Sequence, residues 1–388
     1  MNHLQIVQLN SIGELRAAAA VWDDLWWRSD VTIPTYRAEL VAQWIEHFAP
    51  DADFHALVVQ DGRDWVAVLP LVRRKSGRVL NAGTLPLNEW VSRGELLLDP
   101  DADVDAVLDT WLAAATRLPL HLLRFDEVAL DAPYWRAFQR AVSRAAMAAD
   151  FRPQYPVAWI ETDHDWEACR KRWSRKHRQA MSRALRRLAK QGEPSFTSLS
   201  ELAPDDVEAW MRSGFDIEDR SWKGRAGTSV MRTRGMFEFF TRQAVQLAAW
   251  GQLDLHFLES RGRPVAFAYG MNAKGVYHSC KIGYDPEYAF CKPGQLLRYR
   301  MLEAFHADPD RRAIDCIGPM TEAHRSWRPA THAVGRVVVA PRSVLGRLAV
   351  LAYRCLGSRA AEPAATVESS GVSTSRCGEI SHAGETDA

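Results

Sequence analysis

The chain has 388 residues, of which 47% are hydrophobic, enough for one large domain or two smaller ones. Its 49 Lys and Arg residues balance 48 Asp and Glu residues, so the overall charge indicates neither a nucleic-acid nor a membrane partner. No apolar run reaches the roughly 18–20 residues that span a bilayer, and the N-terminus lacks the pattern of a signal peptide. Six cysteines without metal-ligand spacing indicate reduced thiols, so we expect a cytoplasmic protein.

Helical and strand patterns alternate through the first half of the chain. Asp61-Gly62 separates two alternating apolar segments, which is a strong hairpin signal. The expected helices are 12–28, 36–48, 103–117 and 133–149. The expected strands are 54–60, 65–73, 78–82, 94–98 and 120–126.

The second half predicts a similar alternation that contains a meander of three strands. Arg261-Gly262 and the segment 272–275 separate the strands of this meander. The expected helices are 165–191, 204–219, 233–250 and 295–307. The expected strands are 156–161, 253–260, 264–271, 275–284 and 313–317. The whole pattern indicates an α/β fold class.

The two halves carry a similar unit. A helix, a strand, a glycine turn and a returning apolar strand recur at 36–72 and 236–271, with the turns 200 residues apart. Internal duplication would explain this recurrence, and chance similarity between two α/β segments is the alternative.

We therefore expect an N-terminal module at 1–152 and a C-terminal module at 153–340. The segment 341–357 predicts an amphipathic helix, either packed on the protein or lying on a membrane surface. From 358 to 388 small and polar residues dominate, and we expect a disordered tail.

One predicted helix is strongly basic. Between residues 168 and 192 there are ten Lys and Arg residues and no acidic residue. Like charges at i,i+4 spacing destabilise a helix by a few tenths of a kcal/mol per pair, so an anionic partner is expected. Candidate anions are CoA phosphates, a nucleotide sugar, a lipid pyrophosphate, tRNA and anionic lipid headgroups. The alternative is a solvated helix balanced by acids elsewhere.

A second anion site is predicted after the strand that ends at Tyr284. Lys292, Pro293 and Gly294 form a loop that opens a helix at Gln295. The first N–H groups of a helix have no partner within it, and the helix dipole adds positive charge there, so a phosphate or pyrophosphate is favoured. An ordinary strand-to-helix turn is the alternative. We assign cofactor binding to these four residues.

Four motifs occur in order between residues 174 and 327. They are Ser174-Arg175-Lys176-His177-Arg178, Glu218-x-x-Ser221-Trp222-Lys223-Gly224, Lys281-x-x-Tyr284-Asp285-x-x-Tyr288 with Pro293-Gly294, and Ile314-Asp315-Cys316-Ile317-Gly318 with Trp327. These motifs resemble those of the CelD/BcsL-type acyltransferases, members of the GNAT superfamily and relatives of the FemABX aminoacyltransferases. The family usually has a lysine in the last motif, where this chain has His324 and Arg325 nearby.

The resemblance implies tandem GNAT-like modules with mixed central sheets flanked by helices. It also implies transfer of an acetyl or other acyl group from acyl-CoA, without a metal, to an amine or hydroxyl of a sugar, polysaccharide or lipid-linked precursor, as in exopolysaccharide biosynthesis. Contact with the inner-membrane surface is a further expectation, and DNA binding is not. The alternatives are a FemX-like transferase that uses aminoacyl-tRNA, and a non-catalytic protein that binds an anion or polysaccharide.

Direct attack on a thioester needs a deprotonated nucleophile, a hydrogen-bond donor to the developing oxyanion and a proton for the departing thiolate. Asp285 and Glu218 are the alternative bases, and Tyr284 and Tyr288 are the candidate proton donors. The residues expected to bind substrate are Lys176, Arg178, Trp222, Lys223, Lys281 and Asp315. A covalent mechanism at a cysteine is not expected, because Cys280 and Cys291 have no histidine paired with them in the sequence.

Overall fold

The computed structural model describes residues 4–76, 79–341 and 343–359. Residues 360–388, most of the predicted tail, lie outside this range. Within it the strands are β1 Leu4–Leu9, β2 Phe54–Asp61, β3 Asp64–Ser76, β4 Leu80–Thr84, β5 Leu97–Leu98, β6 Leu122–Ala129, β7 Ala148–Glu161, β8 Pro194–Leu199, β9 Leu253–Ser260, β10 Arg263–Ala273, β11 Val276–Tyr284, β12 Ala313–Pro319 and β13 Ala330–Ala340.

Helices connect these strands. They are α1 Ile12–Ala17, α2 Ala19–Arg28, α3 Ala38–Phe48, α4 Val104–Ala115, α5 Pro133–Arg144, α6 Trp166–Arg172, α7 Arg175–Ala189, α8 Val207–Arg220, α9 Trp222–Arg225, α10 Met236–Ala249, α11 Pro293–Ala307, α12 Glu322–Arg325 and α13 Val344–Arg359. A 3₁₀ segment, Pro286–Cys291, precedes α11. Among these helices, none has the length and apolar character needed to cross a membrane.

All the strands join one mixed sheet. The order is β1-β2-β3-β4-β6-β13-β7-β12-β11-β10-β9-β8, and β5 pairs with β3. The pairs β4·β6 and β11·β12 are parallel, and the other pairs are antiparallel. The predicted α/β class with a mixed sheet and flanking helices is confirmed.

The sheet consists of two similar halves. The succession β1-β2-β3-β4-β6 has the same pairing directions as β8-β9-β10-β11-β12, and α3 and α10 occupy equivalent places before β2 and β9. The halves exchange strands, because β7 pairs with β12 and β13 pairs with β6. The predicted boundary between residues 152 and 153 falls inside β7.

The two hairpin turns that mark the repeat follow from local backbone chemistry. Gly62 and Gly262 both adopt positive φ, and Arg261 does so as well. In the second turn both central residues, Arg261 and Gly262, have positive φ, whereas in the first turn Gly62 alone of the central pair Gly62-Arg63 has it. Tight turns with positive φ at the first or at both central positions match the twist of paired strands, and glycine adopts this conformation without strain.

Three large apolar clusters hold most of the helices to the sheet. One face carries α1, α2, α3, α8 and α10 across both halves. The opposite face carries α4 and α5 in the first half and α6, α7 and α11 in the second. Trp22, Trp26, Trp44 and Trp111 are among the fully buried side chains of these clusters.

The single basic helix predicted at 165–191 is wrong, because the structure has two helices there. Trp173 is extended, and the Ser174 hydroxyl accepts a hydrogen bond from the His177 N–H (3.1 Å) and so starts α7. The Arg178 guanidinium donates to the Trp173 carbonyl oxygen (2.5 Å) and to the last carbonyls of α6. Each helix end is therefore capped by a side chain from the neighbouring segment.

The last described helix, α13, overlaps the predicted amphipathic segment. Val350 is buried against β4, β6 and β13, and Tyr353 accepts a hydrogen bond from Arg336 at its hydroxyl (3.1 Å). Three leucines, Leu345, Leu348 and Leu351, stay more than half exposed. One side of α13 thus packs on the sheet, and a membrane role for the other side stays a prediction.

Candidate functional site

The parallel strands β11 and β12 separate after only three paired positions. Val276–His278 pair with 313–315, and the strands then diverge. A cavity of about 530 Å³ lies in this opening. Its lining consists of Trp222, Lys223, Ile282, Tyr284, Ala289, Lys292, Pro293, Gly294, Gln295, Arg298, Thr321, Ala323 and His324. We call it the donor cavity.

A β-bulge in β11 changes which side chains face the site. Tyr269 lies opposite Lys281 and Gly270 lies opposite Ser279, so Cys280 is an extra residue. The Lys281 ammonium lies over the Trp90 ring, 4.6 Å from its centroid. Burial, with Lys223 nearby, lowers the pKa of Lys281 to about 8. Lys281 therefore faces the α8 and α10 side of β11.

The N-terminus of α11 forms one wall of the donor cavity. Lys292 is the N-cap residue, and Pro293, Gly294 and Gln295 form the first turn. Lys292 has a left-handed backbone conformation (φ 51°, ψ 54°), and Gly294 does not. A Cβ added at Gly294 would meet only Tyr284 Cδ1, at 3.6 Å.

A buried cation that the sequence analysis missed lines the same cavity. Arg298 lies one turn after Gly294 on α11 and is 6% exposed. Its Nη1 donates to the Cys316 thiol sulfur (3.2 Å), and no carboxylate of the described chain lies within ion-pair distance. A buried guanidinium without a counter-ion is costly, so this position favours an anionic ligand.

His324 stands beside Arg298 in the cavity wall. Its Nδ1 accepts a hydrogen bond from the Thr321 N–H (3.2 Å). Burial, with Arg298 nearby, lowers the pKa of His324 to about 4. The imidazole is therefore neutral at pH 7, and the hydrogen bond to Nδ1 leaves the proton on Nε2, which is a donor.

The candidate base Glu218 is buried and occupied by an ion pair. Its carboxylate accepts hydrogen bonds from Lys223 Nζ (2.5 Å) and from the Val230 N–H (3.1 Å). Trp222, the neighbour of Lys223, is 62% exposed at the cavity mouth. Glu218 therefore fixes the position of Lys223 in the cavity wall.

The candidate base Asp285 is also engaged away from the cavity. Its carboxylate is buried and accepts hydrogen bonds from Arg220 (3.0 Å) and Arg263 (2.8 Å). Tyr284 lines the donor cavity, and among the described residues neither Asp285 nor Tyr288 belongs to its lining. Tyr288 stacks on Phe290 instead. Of the proposed catalytic residues, the structure thus brings Tyr284 to the cavity.

The basic helix α7 packs next to this site. Arg187 Nη1 donates to the Phe290 carbonyl oxygen (3.1 Å), which joins α7 to the segment before α11. Lys176 is exposed, whereas Arg178 is partly buried in its capping role. Of the ten basic residues, Arg170 is the one with an ion pair within the part of the chain described here.

His177 connects the first and last motifs. Its ring packs edge-on against Trp327, with 4.5 Å between the ring centroids. Its Nε2 is buried without a hydrogen-bond partner within the described residues. Motifs that are far apart in sequence therefore meet beside the donor cavity.

Asp315 lies in a second cavity, of about 550 Å³, at the junction of the two halves. Arg93 forms an ion pair with Asp315, and its Nη1 donates to His332 Nε2 (3.1 Å). Glu95 accepts a hydrogen bond from the Tyr134 hydroxyl (2.5 Å). We call this the junction cavity; its buried polar residues come from both halves of the chain.

Two groups in the junction cavity titrate with opposite effects on stability. Burial lowers the pKa of His278 to about 4, although Asp315 counteracts this, and burial raises the pKa of Glu95 to about 7. As pH falls from about 6.5 to 4, unfolded His278 binds a proton before the folded form does, so stability decreases. As pH rises from about 4.5 to 7, unfolded Glu95 loses its proton first, so stability also decreases.

These two effects oppose each other between pH 4.5 and 6.5. We expect Glu95→Gln to make the free energy of unfolding fall as pH is lowered through this range, because the His278 effect is no longer balanced. His278→Asn should make it rise. Urea unfolding at several pH values measures both slopes, and the same slope in the two variants would contradict the assignment.

Comparison with known proteins agrees with this geometry. Residues 175–324 match the family model described as an acetyltransferase (GNAT) domain, and this range contains all residues of the donor cavity. The match supports acyl transfer as the reaction class. A search of curated proteins finds no match.

Three solved structures share the fold at low sequence identity. FemX is 10% identical, with 86% of this chain and 96% of that chain covered and a TM-score of 0.58. The C-terminal domain of a putative lysylphosphatidylglycerol synthetase from Agrobacterium fabrum is 13% identical (89% and 98% covered, TM-score 0.53). A conserved protein of unknown function from Bacteroides thetaiotaomicron is 14% identical (88% and 100% covered, TM-score 0.51). The narrower resemblance to CelD/BcsL-type enzymes stays a prediction.

Proposed function

We propose that the protein transfers an acyl group, acetyl in the simplest case, from acyl-CoA to an amine or hydroxyl of a sugar, polysaccharide or lipid-linked precursor. The observation that carries this proposal is the donor cavity. It combines separated parallel strands, the N-terminus of a 15-residue helix and the unpaired buried Arg298. The CelD/BcsL-like motifs support a role in exopolysaccharide synthesis.

The donor's anionic groups fit the cationic end of the cavity. The first N–H groups of α11 and the Lys292 ammonium suit a pyrophosphate. Arg298 supplies a fixed charge deeper in the cavity. The exposed basic face of α7, beside the segment before α11, adds long-range attraction for a donor of this charge.

The reaction forms a bond from the acceptor nitrogen or oxygen to the acyl carbon and breaks the carbon–sulfur bond of the thioester. His324 Nε2–H is suited to donate a hydrogen bond to the developing oxyanion or to the departing thiolate. Glu218 and Asp285 are both held in ion pairs, so neither carboxylate is free to take the proton of the acceptor. Tyr284, the tyrosine that lines the donor cavity, is the candidate proton donor to the departing thiolate.

Titration of the purified chain with CoA and acetyl-CoA by calorimetry tests the donor directly. We expect Gly294→Val to raise the dissociation constant for CoA at least tenfold, about 1.4 kcal/mol, because the new side chain enters the space where a phosphate meets the backbone. The fold should persist, since the nearest atom to the added Cβ is 3.6 Å away.

The matched control for this variant is Gly13→Val. Gly13 is also the second residue of a helix, α1, and an added Cβ there lies 3.8 Å from its nearest neighbour. It should leave CoA affinity unchanged. Equal CoA affinity in wild type and a folded Gly294→Val protein would overturn the proposed donor site.

A second donor, aminoacyl-tRNA, is favoured by the basic face of α7. Nine basic residues around α7 lack an ion pair within the described residues, which is a large uncompensated charge for a single CoA. Binding of tRNA that weakens steeply with salt, and that Lys176→Ala reduces, would favour this donor. Absence of CoA binding and of tRNA binding would leave the non-catalytic alternative, binding of an anionic polymer.

A further inference from the structure

A group of three potential metal ligands lies on α6, α11 and the loop before α6. His164, Cys169 and His306 each offer one donor atom, and these three atoms lie within 4.8 Å of one another. The Cys169 side chain is 5% exposed. The residues are far from the donor cavity, because His306 lies twelve residues beyond Gly294 on α11, about 18 Å along the helix.

The hydrogen bonding of the two histidines leaves their Nε2 atoms available. His306 Nδ1 lies 2.7 Å from the Leu302 carbonyl oxygen, so Nδ1 carries the proton and Nε2 keeps its lone pair. Both His306 Nε2 and His164 Nε2 are buried, and neither has a hydrogen-bond partner in the described structure. Buried nitrogen atoms of this kind are normally paired, so their vacant lone pairs require an explanation.

Metal-binding histidines show the same division of roles between their two ring nitrogens. They usually donate Nδ1–H to a backbone carbonyl or a carboxylate and coordinate through Nε2. His306 already has the carbonyl, and Asp163 Oδ1 lies 3.8 Å from His164 Nδ1, where a small side-chain rotation would complete the second contact.

We propose that His164, Cys169 and His306 bind a transition metal ion of the Zn²⁺ type. Two imidazoles and one thiolate are ligands that Zn²⁺ prefers, and a three-ligand set leaves one tetrahedral position for water. Metal binding replaces the thiol proton of Cys169, which is released to solvent. The metal joins α6 to the C-terminal end of α11, the helix whose other end forms the donor cavity. This site does not depend on the proposed acyl transfer.

Cobalt(II) titration of the untagged full chain, kept reduced, tests the site. We expect one equivalent of Co²⁺ to produce a thiolate-to-cobalt charge-transfer band, which Zn²⁺ then displaces. Zn²⁺ should also raise the melting temperature, because an ion that binds only the folded chain stabilises it. Absence of the charge-transfer band would overturn the proposal.

Variants identify the ligands. Cys169→Ser should abolish the band, and His306→Asn or the more exposed His164→Asn should weaken Co²⁺ binding at least a hundredfold. The matched control is Cys291→Ser, which removes another buried thiol whose sulfur hydrogen-bonds the Tyr288 carbonyl oxygen. A band that persists in Cys169→Ser and disappears in Cys291→Ser would assign the metal elsewhere and refute this set of ligands.

Discussion

Arg298→Met should weaken CoA binding by roughly 10- to 100-fold without lowering the melting temperature. The loss corresponds to about 1.5–3 kcal/mol, the range for a hydrogen bond to a charged group. Without ligand, the guanidinium is buried, and its one hydrogen-bond partner within the described residues is the Cys316 sulfur. Its replacement by an apolar chain of similar length therefore removes a desolvated charge. Affinity and stability should thus change independently, as measured by calorimetry and thermal unfolding.

Arg300→Met is the control for a lost charge on the same helix. Arg300 pairs with Glu303 (2.6 Å) and does not line the donor cavity as described. Its removal should alter CoA affinity by less than about twofold. If Arg298→Met lowers the melting temperature together with the CoA affinity, Arg298 stabilises the fold and is not a specific contact for the donor.

Gly270→Ala should destabilise the protein by about 3 kcal/mol. A Cβ at Gly270 would lie 2.2 Å from Tyr277 Cζ and 2.5 Å from its hydroxyl oxygen. Tyr277 is fully buried and contacts His256 and Phe305, so its ring has no room to move. Overpacking of this kind costs about 1–3 kcal/mol or more, and urea unfolding measures it.

A double-mutant cycle separates this contact from general strand effects. In a Tyr277→Ala background, Gly270→Ala should cost less than about 1 kcal/mol, because the clashing ring is gone. Gly318→Ala in β12, where nothing lies within 4 Å of the added Cβ, is the control. Equal costs of Gly270→Ala in both backgrounds would contradict a direct clash.

Local signals in the sequence predicted most of the fold. The hairpin turns at Gly62 and Gly262, the repeated unit and the start of α11, expected at Gln295 and observed at Pro293, depend on residues near each other in the chain, so periodicity and turn chemistry identify them. The break before Ser174 was missed because apolar residues continue at helical spacing from α6 into α7. Its capping hydrogen bonds involve Arg178, whose contact with α6 no periodicity reveals.

The site was predicted less well, because its electrostatics depend on distant segments. Asp285 looked like a free base, but Arg220 and Arg263 come from other elements and occupy it. Asp315 was assigned to the substrate site and lies in the junction cavity beside Arg93, 222 residues away. Arg298 looked like an ordinary helical arginine, and what identifies it is its burial without a counter-ion among the residues that the structure describes.

The exchange of β7 and β13 has a consequence for synthesis on the ribosome. β13 lies between β6 and β7 in the sheet, yet it is the last strand of the described chain to be made. At roughly 5–20 residues per second, the interval between β7 and β13 is on the order of ten seconds or more. During that time the facing edges of β6 and β7 have no partner, and unpaired strand edges invite pairing with other chains. The strand pairing at the centre of the sheet is therefore completed only after Ala330–Ala340 has emerged from the ribosome.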